Sequence, residues 1–115
     1  LEWEAIRLHP VFTDEILLRM DAFRDLAPIG RGHHEKLDGR GYPDGLTAGR
    51  ISVETRIVTM ADIFDALTAE RPYRAAMPLA KALGILESDV GSALDSTCFE
   101  ALKRATQRMD GYKAA

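Results

Sequence analysis

Residues 33–46 read HHEKLDGRGYPDGL. The stretch sets two adjacent histidines, three carboxylates (Glu35, Asp38, Asp44) and three glycines (Gly39, Gly41, Gly45) beside a tyrosine and a proline, and no hydrophobic period runs through it. Glycine permits positive φ and close backbone approach, so the segment is predicted to be a shaped loop and not a helix or a strand. Long irregular loops in compact domains are usually functional or disordered. Helical patterns flank this one on both sides, and Tyr42, Pro43 and Leu46 are residues that a disordered linker lacks. An ordered, functional loop is expected.

The flanks read as helices throughout. Trp3, Ile6 and the Ala5/Leu8 pair fall at helical spacing, and Pro10 ends that segment by disfavouring helix at the residue before it, which puts His9 at a helix terminus. Phe12, Ile16 and Met20 recur at intervals of four and predict a second short amphipathic helix. Asp25 can cap a third, with Pro28 in its first turn, and that helix delivers His33 and His34 near its C-terminal end. Beyond the loop, Ser52 can cap a long helix from about 53 to 69. It is apolar nearly all round and is therefore expected to be buried, with Asp62 and Asp65 in its middle. Pro78 starts the next helix, with a stripe of Leu79, Leu83, Leu86 and Val90 ended by Gly91, and Asp95 or Thr97 opens the last one through Phe99, Leu102, Ala105 and Met109. No segment reads convincingly as a strand. The expected fold is all-α, about six helices with a long Gly-rich loop, in one domain over residues 1–115.

Composition narrows the function. The formal charge of −3 and pI near 5.6 give no global attraction to nucleic acid, so phosphate binding has to come from a local cluster such as Arg71 and Arg74 in the connector ERPYR. A helical DNA-binding module is disfavoured on the same ground. Cys98 stands alone, which excludes an intrachain disulfide and is compatible with a cytoplasmic location. No apolar run has membrane-spanning length. The chain opens at Leu1 in mid-pattern and is expected to be part of something longer.

The chemistry-bearing residues are few. Consecutive residues on a helix point about 100° apart, so His33 and His34 do not chelate one ion as an i, i+4 pair does. They can reach two neighbouring ions, or one ion with a local kink. With His9 and Asp62 they make an N₃O set suited to iron, manganese or zinc and ill suited to calcium. Paired ions of this kind clamp the oxygens of a phosphoryl displacement. Structural alternatives stand beside each residue: His9 as a helix-end cap, Asp62 and Asp65 as hydrogen-bonded core carboxylates, Arg71 and Arg74 as surface charges, Tyr42 and Pro43 as loop packing.

HHEKLDGRGYPDGL, followed by Arg56-Ile57, MADIFDALTAERPYR at 60–74 and GSALD at 91–95, closely resembles the HD-GYP family, a branch of the HD superfamily of metal-dependent phosphohydrolases. With LEWEAIRLHP at the start, the similarity covers nearly the whole chain. The resemblance implies an all-helical fold and a bi- or trinuclear centre of a divalent transition metal, iron or manganese, that hydrolyses cyclic di-GMP to the linear dinucleotide or to GMP. By position, His9, His33, His34 and Asp62 match the family's metal ligands. Arg71 and Arg74 match the positions that hold the nucleotide's phosphates. Gly41, Tyr42 and Pro43 match the GYP loop, implicated in substrate binding, where Tyr42 is the candidate, and in contacts with GGDEF-domain partners. A sensory or receiver domain upstream is implied in the parent protein.

The chain also departs from the family pattern. The family's His-Asp dyad, its upstream Glu and His and the Lys after the dyad belong before the segment with which this chain opens, and no substitute accompanies Glu2 and Glu4. The resemblance is therefore to the C-terminal portion. Weak metal binding and little or no phosphodiesterase activity are expected of the chain alone, with no catalytic residue assigned within it. Thr13 stands where the family usually has glycine. Two readings follow: part of a working cyclic di-GMP phosphodiesterase, or a non-catalytic module that binds a GGDEF protein or a nucleotide.

Overall fold

The computed structural model describes residues 6–70, 72 and 75–114, the side chains of 109–114 excepted. The chain is all-helical. Its α-helices are α1 (His9–Leu18), α2 (Ala27–Gly32), α3 (Val53–Thr68), α4 (Leu79–Asp89) and α5 (Ser96–Ala114), with short 3-10 helices at Asp21–Leu26 and Ala48–Arg50. Among the described residues there are only isolated bridges, Asp38 with Thr47 and Val90 with Leu94, and no strand. No described helix is long and apolar enough to cross a membrane. The chain divides into two compact units, Leu1–Thr59 and Met60–Ala115.

In the first unit α1 packs on α2. Pro10 sits in the first turn of α1, where its missing N–H costs nothing, so it opens this helix; most of the segment expected before it, Trp3 and Ala5 included, lies outside the described residues. Gly30 is the contact point of the pair: a Cβ there would lie 2.7 Å from Thr13 Cγ2 and 2.9 Å from Leu17 Cδ1. Thr13 is accommodated because the residue facing it has no side chain. Its hydroxyl donates back to His9 O at 2.9 Å.

Two expectations for this unit fail. Asp25 does not cap α2; it lies inside the 3-10 helix Asp21–Leu26, and α2 begins after Leu26 with no side-chain cap. The i, i+4 row of α1 is not a buried face either, since Phe12, Ile16 and, just past the helix, Met20 are 52, 58 and 49% exposed. Spacing defines a face, and burial needs another element laid against it.

The same reason corrects the long helix. Ser52 caps α3 as expected, its Oγ accepting from Thr55 N at 3.2 Å and bonding Thr55 Oγ1 at 2.8 Å. Thr55, Thr59 and Met60 are buried, but Val53 and Ile57 are 60 and 52% exposed, and Asp62 and Asp65 are exposed. The carboxylates of α3 are solvated, so no desolvation cost compels a cation beside them.

The second unit has an apolar cluster: Met60, Leu86, Leu94 and Phe99, flanked by Ile63, Phe64, Leu67, Leu83 and Val90. The predicted stripe of α4 supplies Leu83, Leu86 and Val90 to it. Gly91 turns the chain out of α4 at φ 92, a conformation that L side chains rarely adopt, and its N–H donates to Leu94 O at 3.0 Å. Of the two candidate caps for α5, Asp95 is the one used, accepting from Cys98 N at 2.9 Å.

Candidate metal centre

His33 is the C-terminal cap residue of α2, at φ −72 and ψ −6, and His34 lies just beyond the helix. That position removes the obstacle which helical geometry set. Freed from the 100° step, the two adjacent rings converge to 4.1 Å between centroids. His9, the first residue of α1, brings a third ring to 5.6 Å from His33 and 4.7 Å from His34. One ring nitrogen from each lies within 4.8 Å of the other two.

Two of the three rings are oriented by the same local device. His9 Nδ1 bonds the carbonyl of Ile6 at 2.6 Å, and His33 Nδ1 bonds that of Gly30 at 2.8 Å. A carbonyl only accepts, so Nδ1 carries the hydrogen, and in the neutral ring Nε2 is left with the lone pair. This is the arrangement in which imidazoles ligate metals, the second nitrogen being held by a backbone oxygen. Metal–imidazole bonds of about 2.0–2.1 Å put two ligands of one ion about 3–4 Å apart. Separations within 4.8 Å therefore suit one ion after a small contraction, or two ions sharing the cluster. The residues fit a divalent transition metal. Thr59 secures the carbonyl side of His33, its hydroxyl shared between His33 O at 3.0 Å and Thr55 O at 2.9 Å.

The loop after the histidines is held by two devices invisible to periodicity. Glu35 is 2% exposed, and its oxygens accept from Asp44 N at 2.6 Å and Leu46 N at 2.9 Å. Arg31 grips Asp44 bidentately, through Nε at 2.8 Å and Nη2 at 3.0 Å, and reaches Asp14 at 3.2 Å. That hydrogen-bonded pairing holds the Asp44 carboxyl below its ordinary range and raises the Arg31 guanidinium above its own. Inside the loop Asp38 Oδ1 accepts from Arg40 N at 3.0 Å, and Gly39 and Gly45 take φ of 82 and 64. Gly41 presses against the backbone of residues 34–36, and the Tyr42–Pro43 bond is cis. Tyr42 lies nearly parallel to His34, centroids 5.1 Å apart at 10°, with Arg7 over its ring at 5.7 Å.

A convergent histidine cluster beside a clamped Gly-Tyr-Pro loop agrees with the comparisons with known proteins. The HD domain family model matches residues 1–98. The chain belongs to the HD domain family, in its HD-GYP branch. This HD-GYP chain is 55% identical over 104 residues to the 3'3'-cGAMP-specific phosphodiesterase 3 of Vibrio cholerae, covering 90% of itself and 23% of that protein. It is 44% identical over 111 residues to the cyclic di-GMP phosphodiesterase response regulator RpfG of Xanthomonas campestris, covering 95% of itself and 29% of that protein. A crystal structure of a cyclic GMP-AMP specific phosphodiesterase of V. cholerae aligns with 92% of the chain and 23% of its own at TM-score 0.50 and 45% identity. The HD-GYP chain thus spans less than a third of each of these relatives.

Of the residues singled out in the sequence, His9, His33 and His34 are brought together, and Tyr42, Gly41 and Pro43 stand in the loop that follows. Asp62 is exposed on α3, in the second compact unit. Arg71 and Arg74 lie outside the described residues. Arg31 had no signal of its own in the sequence, and Glu35 stood out only as one of the loop's three carboxylates; the nearest hint of its role was the run of backbone N–H groups in a helix-free loop, which need acceptors.

Proposed function

We propose that this HD-GYP chain is the histidine- and loop-bearing portion of a cytoplasmic phosphodiesterase that opens a 3'–5' linked cyclic dinucleotide. The observation that carries the reading is the convergence of His9, His33 and His34, with the Nδ1 atoms of His9 and His33 already bonded to carbonyls. In the proposal these three imidazoles hold divalent transition ions, iron or manganese, and Asp62 is taken as a further ligand only from its place in the HD-GYP motif. When bound, such ions supply a Lewis acid that draws charge from a phosphoester oxygen. The chain's own residues do the rest. The Ile6 and Gly30 carbonyls keep hydrogen on Nδ1 and leave Nε2 as the donor, while Glu35 and Arg31 hold the loop against the cluster. Arg71 and Arg74 engage the dinucleotide's phosphates, and Tyr42, with Gly41 and Pro43, borders the nucleotide.

The substrate class is a cyclic dinucleotide because the similar proteins act on 3'3'-cGAMP and on cyclic di-GMP. The 115 residues contain no His-Asp pair. The chain by itself is therefore proposed to bind metal weakly and turn over little substrate, its activity being that of a longer protein with a sensory or receiver domain. Purified chain loaded with Mn(II) or Fe(II) and assayed against cyclic di-GMP and 3'3'-cGAMP tests this, alongside elemental analysis of the chain and of His33→Ala. Metal content is expected to fall at least tenfold in the variant. Equal metal in both proteins would remove His33 from the site, and turnover comparable to a complete domain would overturn the incompleteness. Retention of a GGDEF protein or a nucleotide by chain that takes up no metal would favour a binding module.

A further inference from the structure

Building on the metal reading above, we infer that Glu35 is a positioning residue that sets the ring of His34 through Tyr42. Both oxygens of this buried side chain are committed to backbone N–H groups nine and eleven residues on, Asp44 and Leu46. Its own N–H is tied to Gly32 O at 3.0 Å, so the side chain starts from a fixed point at the end of α2. The consequence falls on Tyr42, two residues before the first clamped amide. Its N–H donates to His34 O at 3.2 Å, and its ring lies 10° from parallel with the His34 imidazole. His9 and His33 have Nδ1 bonded to carbonyls three residues earlier, and the His34 imidazole carries the Tyr42 ring stacked on its face.

The chemistry requires an acid at position 35. Two N–H donors converge there, and a carboxylate offers each its own oxygen. A carboxamide has one acceptor oxygen and presents N–H₂ to the second donor. A buried amide left facing a donor costs more than the bond was worth, so the loop moves to rehydrate it. Glu35→Gln keeps size and shape and should release Asp44–Leu46, letting Tyr42 slide off the His34 face.

The test uses the 115-residue protein, first without metal and then titrated with Co(II). Imidazole resonances of His34 report the overlying ring directly, a signature that a general loss of stability in a folded protein does not produce. Glu35→Gln and Tyr42→Leu are expected to move the His34 resonances to a common position, while Tyr42→Phe leaves them in place. Co(II) affinity should fall about tenfold in each displaced variant, the usual effect of losing a ligand's outer partner. The double variant should lose no more than either single, because both act through one contact. Unmoved His34 resonances in Glu35→Gln, or additive losses in the double variant, overturn the inference. Should Glu35→Gln fail to fold, amide hydrogen exchange in the unmodified protein decides: slow exchange at Asp44 and Leu46 relative to Gly45 is expected, and fast exchange at both overturns it. A chain that takes up no Co(II) defeats the metal reading, while the metal-free resonances still judge Glu35.

Discussion

Gly41→Ala should be among the most damaging small changes in the loop. A Cβ on Gly41 would meet Lys36 N and lie 2.5 Å from both Glu35 Cα and His34 O. Favourable carbon contacts begin near 3.5 Å, so about 1 Å of retreat is needed. All three obstructing atoms belong to backbone, so no rotamer change provides the retreat. The backbone they belong to carries His34 and is held by Glu35. Overpacking a well-filled site costs about 1–3 kcal/mol, and more where main chain has to shift. We expect about 3 kcal/mol, a large share of the roughly 5–15 kcal/mol that stabilises a small domain. Gly84→Ala makes the same chemical change on α4 where nothing lies within 4 Å of the new Cβ. There the helix propensity gain of about 1 kcal/mol should appear with the opposite sign. Urea denaturation of both variants, with slopes compared to confirm that the same surface unfolds, reads the two values. If Gly41→Ala unfolds within 0.5 kcal/mol of the unmodified chain, or proves no worse than Gly84→Ala, the close approach of the loop to residues 34–36 is wrong.

Three further outcomes follow from the same structure. Pairing with Arg31 lowers the Asp44 carboxyl below its ordinary 3.8, so near and below that pH the unfolded chain binds more protons than the folded one. The contribution is complete above pH 3.8 and lost as pH falls through the lower folded value. Both side chains are more than a third exposed, so the loss is well under about 1 kcal/mol, and acid titration of Asp44→Asn should show it missing. Ser52→Ala removes the cap of α3 and should cost about 1 kcal/mol by thermal or urea unfolding; a value near zero would deny the cap. Phe12, Ile16, Phe23, Val53 and Ile57 are each between 46 and 60% exposed, so the isolated chain should self-associate. Light scattering showing a monodisperse monomer at high concentration would contradict this.

Local chemistry made several features legible in advance. Ser52 and Asp95 cap helices because a side-chain oxygen one residue ahead of a helix satisfies orphan amides whatever surrounds it. Gly91 ends α4 because few other residues take its φ. The break after α2, the loop and its glycines followed from the same short-range rules. Misreadings arose where a local cue had a competitor. Asp25 was as good a cap by type as Ser52, yet the chain there winds into a 3-10 turn, and α2 starts uncapped.

What the amino-acid order determined by itself was therefore the helices from α1 to α5, most of their ends, the loop and membership of the HD-GYP branch, since each depends on neighbours within a few residues or on a motif read directly. Tertiary structure alone decided which faces are covered, that Asp62 is solvated, that Glu35 is buried, and that the imidazole of His9 meets those of the distant His33–His34 pair. Burial and convergence are properties of what lies opposite a residue, and nothing in a one-dimensional pattern says what that will be.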